Sequence, residues 1–224
     1  MKLLIMNEKI AALDIETENT GADVRNDNKR IISIQIYNKD ISEIYYHDSK
    51  EKGLKLGKER VRSLLSSGYS FVGYNVLNFD IPLLKEFLDL EIPPSNVIDI
   101  SQMNKVVELR QNFKMYKLEA ICAEIGVRCD HKKLLVPIIE KLKQDPKIVE
   151  RAKIEGSKIA SLKSWSLQFS QDRALDLICG GLAILQAYNE FVESNGNTNS
   201  IFHQYAMGDV ISEYELYNKL KRNN

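Results

Sequence analysis

The chain has 224 residues, 44% apolar and 28% charged, an ordinary globular composition with room for one sizeable core. Lys plus Arg and Asp plus Glu both number 31, so no basic surplus marks a passive nucleic-acid coat protein. No apolar run approaches the roughly 18 residues of a membrane helix, and MKLLIM is too short for a signal-peptide core.

Cys122, Cys129 and Cys179 are odd in number and share no metal-ligand spacing, which argues for a reducing compartment. An intracellular, cytoplasmic protein with no membrane partner is the expectation.

In chain order, IAALDIE predicts a short buried strand that ends at Asp14 and Glu16. RIISIQIYN and ISEIYYH flank Asn38-Lys39-Asp40 and predict a hairpin. A helix is expected over Lys58–Ser67, with Val61, Leu64 and Leu65 on one face and Gly68 as its stop. YSFVGYN predicts a strand, and FDIPLLKEFLDL a helix with Pro82 in its first turn. NVIDI completes a set of five strands. Strands first, then alternating strand and helix, predict an α/β sheet mixing an antiparallel hairpin with parallel crossovers.

From about residue 101 the pattern turns helical. LEAICAEIG is amphipathic with a stop at Gly126. Helical spacing also covers 147–163 and 173–193; in the latter, Leu175, Ile178, Leu182, Leu185 and Val192 form one stripe. Gly180-Gly181 predicts a break there or a close helix contact. NGNTNS caps a last helix from about Ile201. Residues 131–163 hold nine Lys/Arg against four Asp/Glu, which suits either a solvated face or a phosphate-tracking surface.

Four acidic residues carry the chemistry. Asp14 and Glu16 sit at a strand end, where alternation turns both to one side. Asp80 falls in a first helical turn, a place any aspartate favours because of the helix dipole. Tyr205 and Asp209 are spaced i, i+4, on one helix face. A second Asp-x-Glu, Asp89-Leu90-Glu91, falls in an expected surface loop.

Together, LDIET, GYNVLNFDIPLL and YAMGDV resemble the three exonuclease motifs of the DEDD superfamily, ribonuclease-H-like 3′–5′ exonucleases. They are most similar to the proofreading exonuclease domain of family B DNA polymerases. The likeness covers residues 10–100 and 201–212. It implies a ribonuclease-H-like mixed five-stranded sheet flanked by helices. The whole of 1–224 is then one exonuclease domain with a helical insertion at about 130–195.

Tyr205 stands four residues before Asp209, as in the tyrosine subclass; Gln204 holds the place of the other subclass's histidine, and His203 is one out of register. His47 and His131 have no place in the pattern and are expected at the surface or in packing. The chain ends at Asn224 with no polymerase domain after the third motif, which suggests a stand-alone nuclease or a separate subunit.

The resemblance implies two Mg²⁺ or Mn²⁺ ions held by Asp14, Glu16, Asp80 and Asp209, with Tyr205 orienting the attacking water. An unperturbed tyrosine titrates near 10 and is a poor base at neutral pH. Thr17 and Phe79 match positions that touch the last nucleotide, and Asn75 and Asn78 are candidates for sugar or phosphate contact. The substrate implied is the 3′ end of a single strand, DNA favoured over RNA. Alternatives are a 3′–5′ exoribonuclease and a non-catalytic binding subunit. A polymerase or repair partner, or a homodimer, are further expectations for the insertion.

Overall fold

The computed structural model describes residues 8–23 and 27–222. Contacts divide the chain into two compact units. The first runs to Ile15 and takes in Ser33–Asp130 and the chain from Ala206 on; the second comprises Glu16–Ile32 and His131–Tyr205.

The first unit is built on a mixed five-stranded sheet. Its strands are β1 (Lys9–Asn19), β2 (Asn28–Tyr37), β3 (Ser42–Tyr46), β4 (Tyr69–Gly73) and β5 (Val97–Asp99), in the order β3-β2-β1-β4-β5. β2 and β3 pair antiparallel, whereas β4 is parallel to both β1 and β5. This is the expected mixture of hairpin and crossovers. β1 is central and its Ala11, Ala12 and Leu13 are fully buried, as the continuous apolar run IAAL requires.

The hairpin turn is fixed by Asn38. Its side-chain oxygen accepts from the backbone N–H groups of Asp40 and Ile41, both at 2.8 Å, and its amide donates to the Ile10 carbonyl at 3.1 Å.

Helices α1 (Leu54–Ser66), α2 (Asp80–Leu88), α3 (Asn104–Phe113) and α4 (Leu118–Ile125) flank this sheet, with the C-terminal part of the last helix. α1 begins four residues before its expected start. Gly68 and Gly126 hold φ of 81° and 77° just past the ends of α1 and α4. Asp89 caps α2 in the left-handed region with its side chain 95% exposed, so the second Asp-x-Glu is indeed surface.

The second unit holds α5 (Val136–Leu142), α6 (Pro146–Lys163), α7 (Leu167–Glu193) and the start of α8 (Ile201–Arg222), with the far ends of β1 and β2. β1 therefore does not stop at its carboxylates. It runs on to Asn19 because β2 begins at Asn28 alongside it: Thr17 donates to Asn28 at 2.7 Å and Arg30 pairs with Glu18 at 2.8 Å. Fully buried Tyr188, Phe191 and Phe202 centre one core, with Tyr188 edge-on to Phe202 at 5.1 Å.

α7 is unbroken through Gly180-Gly181. The glycines serve a close contact instead, since a Cβ at Gly181 would overlap the Asn19 carbonyl, while at Gly180 it would meet open space. The buried residues of α7 mix small and large side chains, Ala174, Ala183 and Ala187 with Ile178, Tyr188 and Phe191. Leu175, Leu182, Leu185 and Val192 are only half-buried. Among the described residues no helix is long and apolar enough to cross a membrane.

The two glycines make a paired test. Gly180→Ala should stabilise the protein by about 0.5–1 kcal/mol through helix propensity. Gly181→Ala should destabilise it by about 1–3 kcal/mol, because backbone must move to admit the methyl. Urea melts of the two variants should shift in opposite directions.

Candidate active site

Parallel pairing of β1, β4 and β5 brings the C-terminal ends of β4 and β5 beside the middle of β1, with Ala12 beside Val72 and Gly73 beside Asp99. Open α/β sheets offer their crevices at such ends. Asp14 follows two residues after Ala12, Asp99 ends β5, and the loop leaving β4 leads to Asp80 at the first position of α2. Three carboxylates from three segments thus reach one edge of the sheet.

Asp80 is buried, and its Oδ1 accepts from the Ile15 backbone N–H at 3.1 Å, which holds it next to Asp14. Burial pushes the Asp80 carboxyl up to about 7, with the charge of Asp99 adding to the rise. Hydrogen bonds from the Ile15 N–H and with the Asp14 side chain act in the opposite sense. Two carboxyls in hydrogen-bond contact, one of them buried, cannot comfortably both be ionised.

Asp14 is the hub. A carboxylate oxygen of Asp209 lies within 4.8 Å of one of its own, and so does one of Glu16, two residues along the same strand. α8 carries Asp209 one turn after Tyr205, so both occupy the same helix face. Tyr205 and Glu16 are buried; Asp14 is partly exposed. Of the four carboxylates expected from the motifs, Glu16, Asp80 and Asp209 each lie close to the fourth, Asp14.

The expected substrate residues are more scattered in environment. Asn75 has φ of 63°, a left-handed turn position, and its side-chain oxygen accepts from Asn78 at 3.1 Å. Both are exposed and lie in the β4–α2 loop that delivers Asp80, with Phe79 half-buried immediately before it. Thr17 lies on β1 beyond Glu16 and donates to Asn28.

Two buried acids escape the sequence reading. Asp99 accepts from the N–H groups of Asn75 at 2.9 Å, Leu77 at 3.2 Å and Ser101 at 2.9 Å, and so ties the β4–α2 loop to the end of β5. Glu213 accepts from the Tyr74 N–H at 2.8 Å, tying α8 to the same loop. The available signal is the i, i+4, i+8 run Tyr205-Asp209-Glu213 on an otherwise apolar helix face.

His131 is buried, its ring 6.1 Å from that of Tyr205, whereas His47 is exposed beside Asp48. Cys129 brings its thiol within 4.8 Å of an Asp209 oxygen, a proximity that sequence spacing cannot show. His203 packs on Phe191 with ring centres 6.2 Å apart.

Two measurements test this geometry. Asp80 titrates above its unfolded value of 3.8, so the native state binds the extra proton and loses stability as pH rises from there through about 7. Asp80→Asn keeps the bond from Ile15 and removes the charge. In EDTA at about pH 8 it should raise Tm, by roughly 2–4 °C per kcal/mol relieved, and the gain should shrink toward about pH 4. Asp99→Ala strands three backbone donors and should cost about 2–5 kcal/mol, with Asp99→Asn recovering part of it in the same melts.

No curated protein matches this chain. A family model described as RNase_H superfamily matches residues 11–135, a span that contains Asp14, Glu16, Asp80 and Asp99.

Proposed function

The chain belongs to the RNase H superfamily, and from that membership we propose that it is a metal-dependent 3′–5′ exonuclease acting on single-stranded DNA. RNase-H-like nucleases use divalent metals, and the acidic cluster here is of a kind that can bind one. The observation that carries the reading is the gathering of Glu16, Asp80 and Asp209 about Asp14.

The donor set fits hard cations. Every group in it is a carboxylate, and oxygen-only sets select Mg²⁺ or Mn²⁺ over softer metals. Asp14 would be shared between two ions, Glu16 and Asp209 would complete the shell of one, and Asp80 would serve the other through water. When bound, the pair supplies an acidified water and charge stabilisation at the leaving 3′ oxygen.

The chain's own side chains do the remaining work. Tyr205, on the Asp209 face of α8, orients the attacking water by a hydrogen bond from or to its hydroxyl. Phe79 offers a ring on which a terminal base can stack, a contact worth about 1–3 kcal/mol and indifferent to sequence. Thr17, Asn75 and Asn78 hold the sugar and phosphate of the last nucleotide. Cleavage from the 3′ end releases nucleoside monophosphates. The tyrosine-subclass likeness supports the polarity and the single-stranded substrate.

Asp14→Ala should reduce digestion of a 5′-labelled single strand to background, with the melting temperature unchanged or raised by relief of charge crowding. The same gel run with matched DNA and RNA strands, single and double, in Mg²⁺ or Mn²⁺ reads polarity and sugar preference. Digestion persisting in EDTA or in Asp14→Ala would refute the assignment.

A further inference from the structure

The turn between α6 and α7 exposes apolar surface of an unusual kind. Residues 161–169 are all exposed. Among them Leu162 is 83% exposed, Leu167 54%, Phe169 52% and Trp165 37%. Trp165 and Phe169 stand edge to face with ring centres 5.3 Å apart. Lys163 and Arg173 place their charges 5.0 Å and 5.7 Å from the centre of the Trp165 ring.

The local charge decides what such a surface suits. Along α5 and α6 some basic side chains stand in ion pairs, Lys143 with Asp176 at 3.1 Å and Arg151 with Glu155 at 2.6 Å. At the turn the cations instead stand over an aromatic ring. Cations set among exposed rings match the two needs of an unpaired strand: phosphates to neutralise and bases to stack. An apolar protein helix would gain nothing from the cations.

We propose that Trp165, Phe169, Lys163 and Arg173 form a binding surface for single-stranded nucleic acid, separate from the carboxylate cluster and independent of metal. It rests on the nuclease reading only for the choice of polymer. Lys163 and Arg173 contact phosphates, and Phe169 and Trp165 stack on successive bases.

Trp165 is the single tryptophan of the chain, so its emission reports this surface alone. The probe is an oligothymidylate added to the Asp14→Ala protein in EDTA, where nothing is digested. Saturable quenching is expected, with affinity falling about tenfold or more between about 50 and 200 mM salt. Phe169→Ala should weaken binding by about tenfold, and Lys163→Glu with Arg173→Glu by more.

Unchanged Trp165 emission overturns the proposal, whether or not a labelled oligonucleotide still binds by anisotropy. So does a spectral shift that appears with protein concentration alone, or with anionic vesicles and not with the oligonucleotide. Digestion by the wild-type protein in Mg²⁺ is scored separately, so loss of either reading leaves the other measurable.

Discussion

Like-charge crowding midway along β1, just past its pairing with β4, is the constraint on which the rest depends. Asp80 is buried, and its Oδ1 accepts from the N–H of Ile15, the residue that follows Asp14. Carboxylates held this way are costly without a counter-charge. A fold selected for stability alone would place apolar groups there. Retaining several acids together makes physical sense when a cation is to be bound, since its positive charge relieves their repulsion.

The acids near this edge fall into two groups by what their oxygens face. Asp99 and Glu213 are spent on backbone N–H groups of the β4–α2 loop and of Ser101. Those bonds fix the loop geometry, including the left-handed Asn75, and so the direction in which α2 starts. Asp14, Glu16 and Asp209 instead turn oxygens toward one another. The first group builds the frame; the second brings one oxygen from each of three acids within 4.8 Å of the others. Burial alone does not separate them, because Asp80, Asp99, Asp209 and Glu213 are all buried.

Much of this was legible in the sequence because it is local or periodic. The five strands, the Asn38 turn, the Gly68 and Gly126 stops and the one-face placement of Tyr205 with Asp209 all follow from short-range rules. The length of β1 was not, since whether a strand continues past Glu16 is set by β2 running beside it. Nor was the face of α7: leucine spacing points to one stripe, yet Leu175, Leu182, Leu185 and Val192 are only half-buried, while Ala183, Ala187, Tyr188 and Phe191 are buried and Gly181 lies against the Asn19 carbonyl. Asp99 was hidden for a related reason. Its partners are N–H groups 22 and 24 residues earlier, and backbone donors carry no signature in a sequence.

The balance of 31 acidic and 31 basic residues looks at first like an argument against a polyanionic substrate. It weakens once the charges are located. Several acids are withdrawn into the sheet edge, where a bound cation pair would cancel or reverse their sign toward phosphate. Others are consumed by local ion pairs such as Arg60 with Glu43 at 2.9 Å and Arg30 with Glu18 at 2.8 Å. The potential that a nucleic acid meets depends on what remains outside such pairs, and screening limits its reach to about 8–10 Å in physiological salt. Net charge therefore says little here, and the placement of each charge says most.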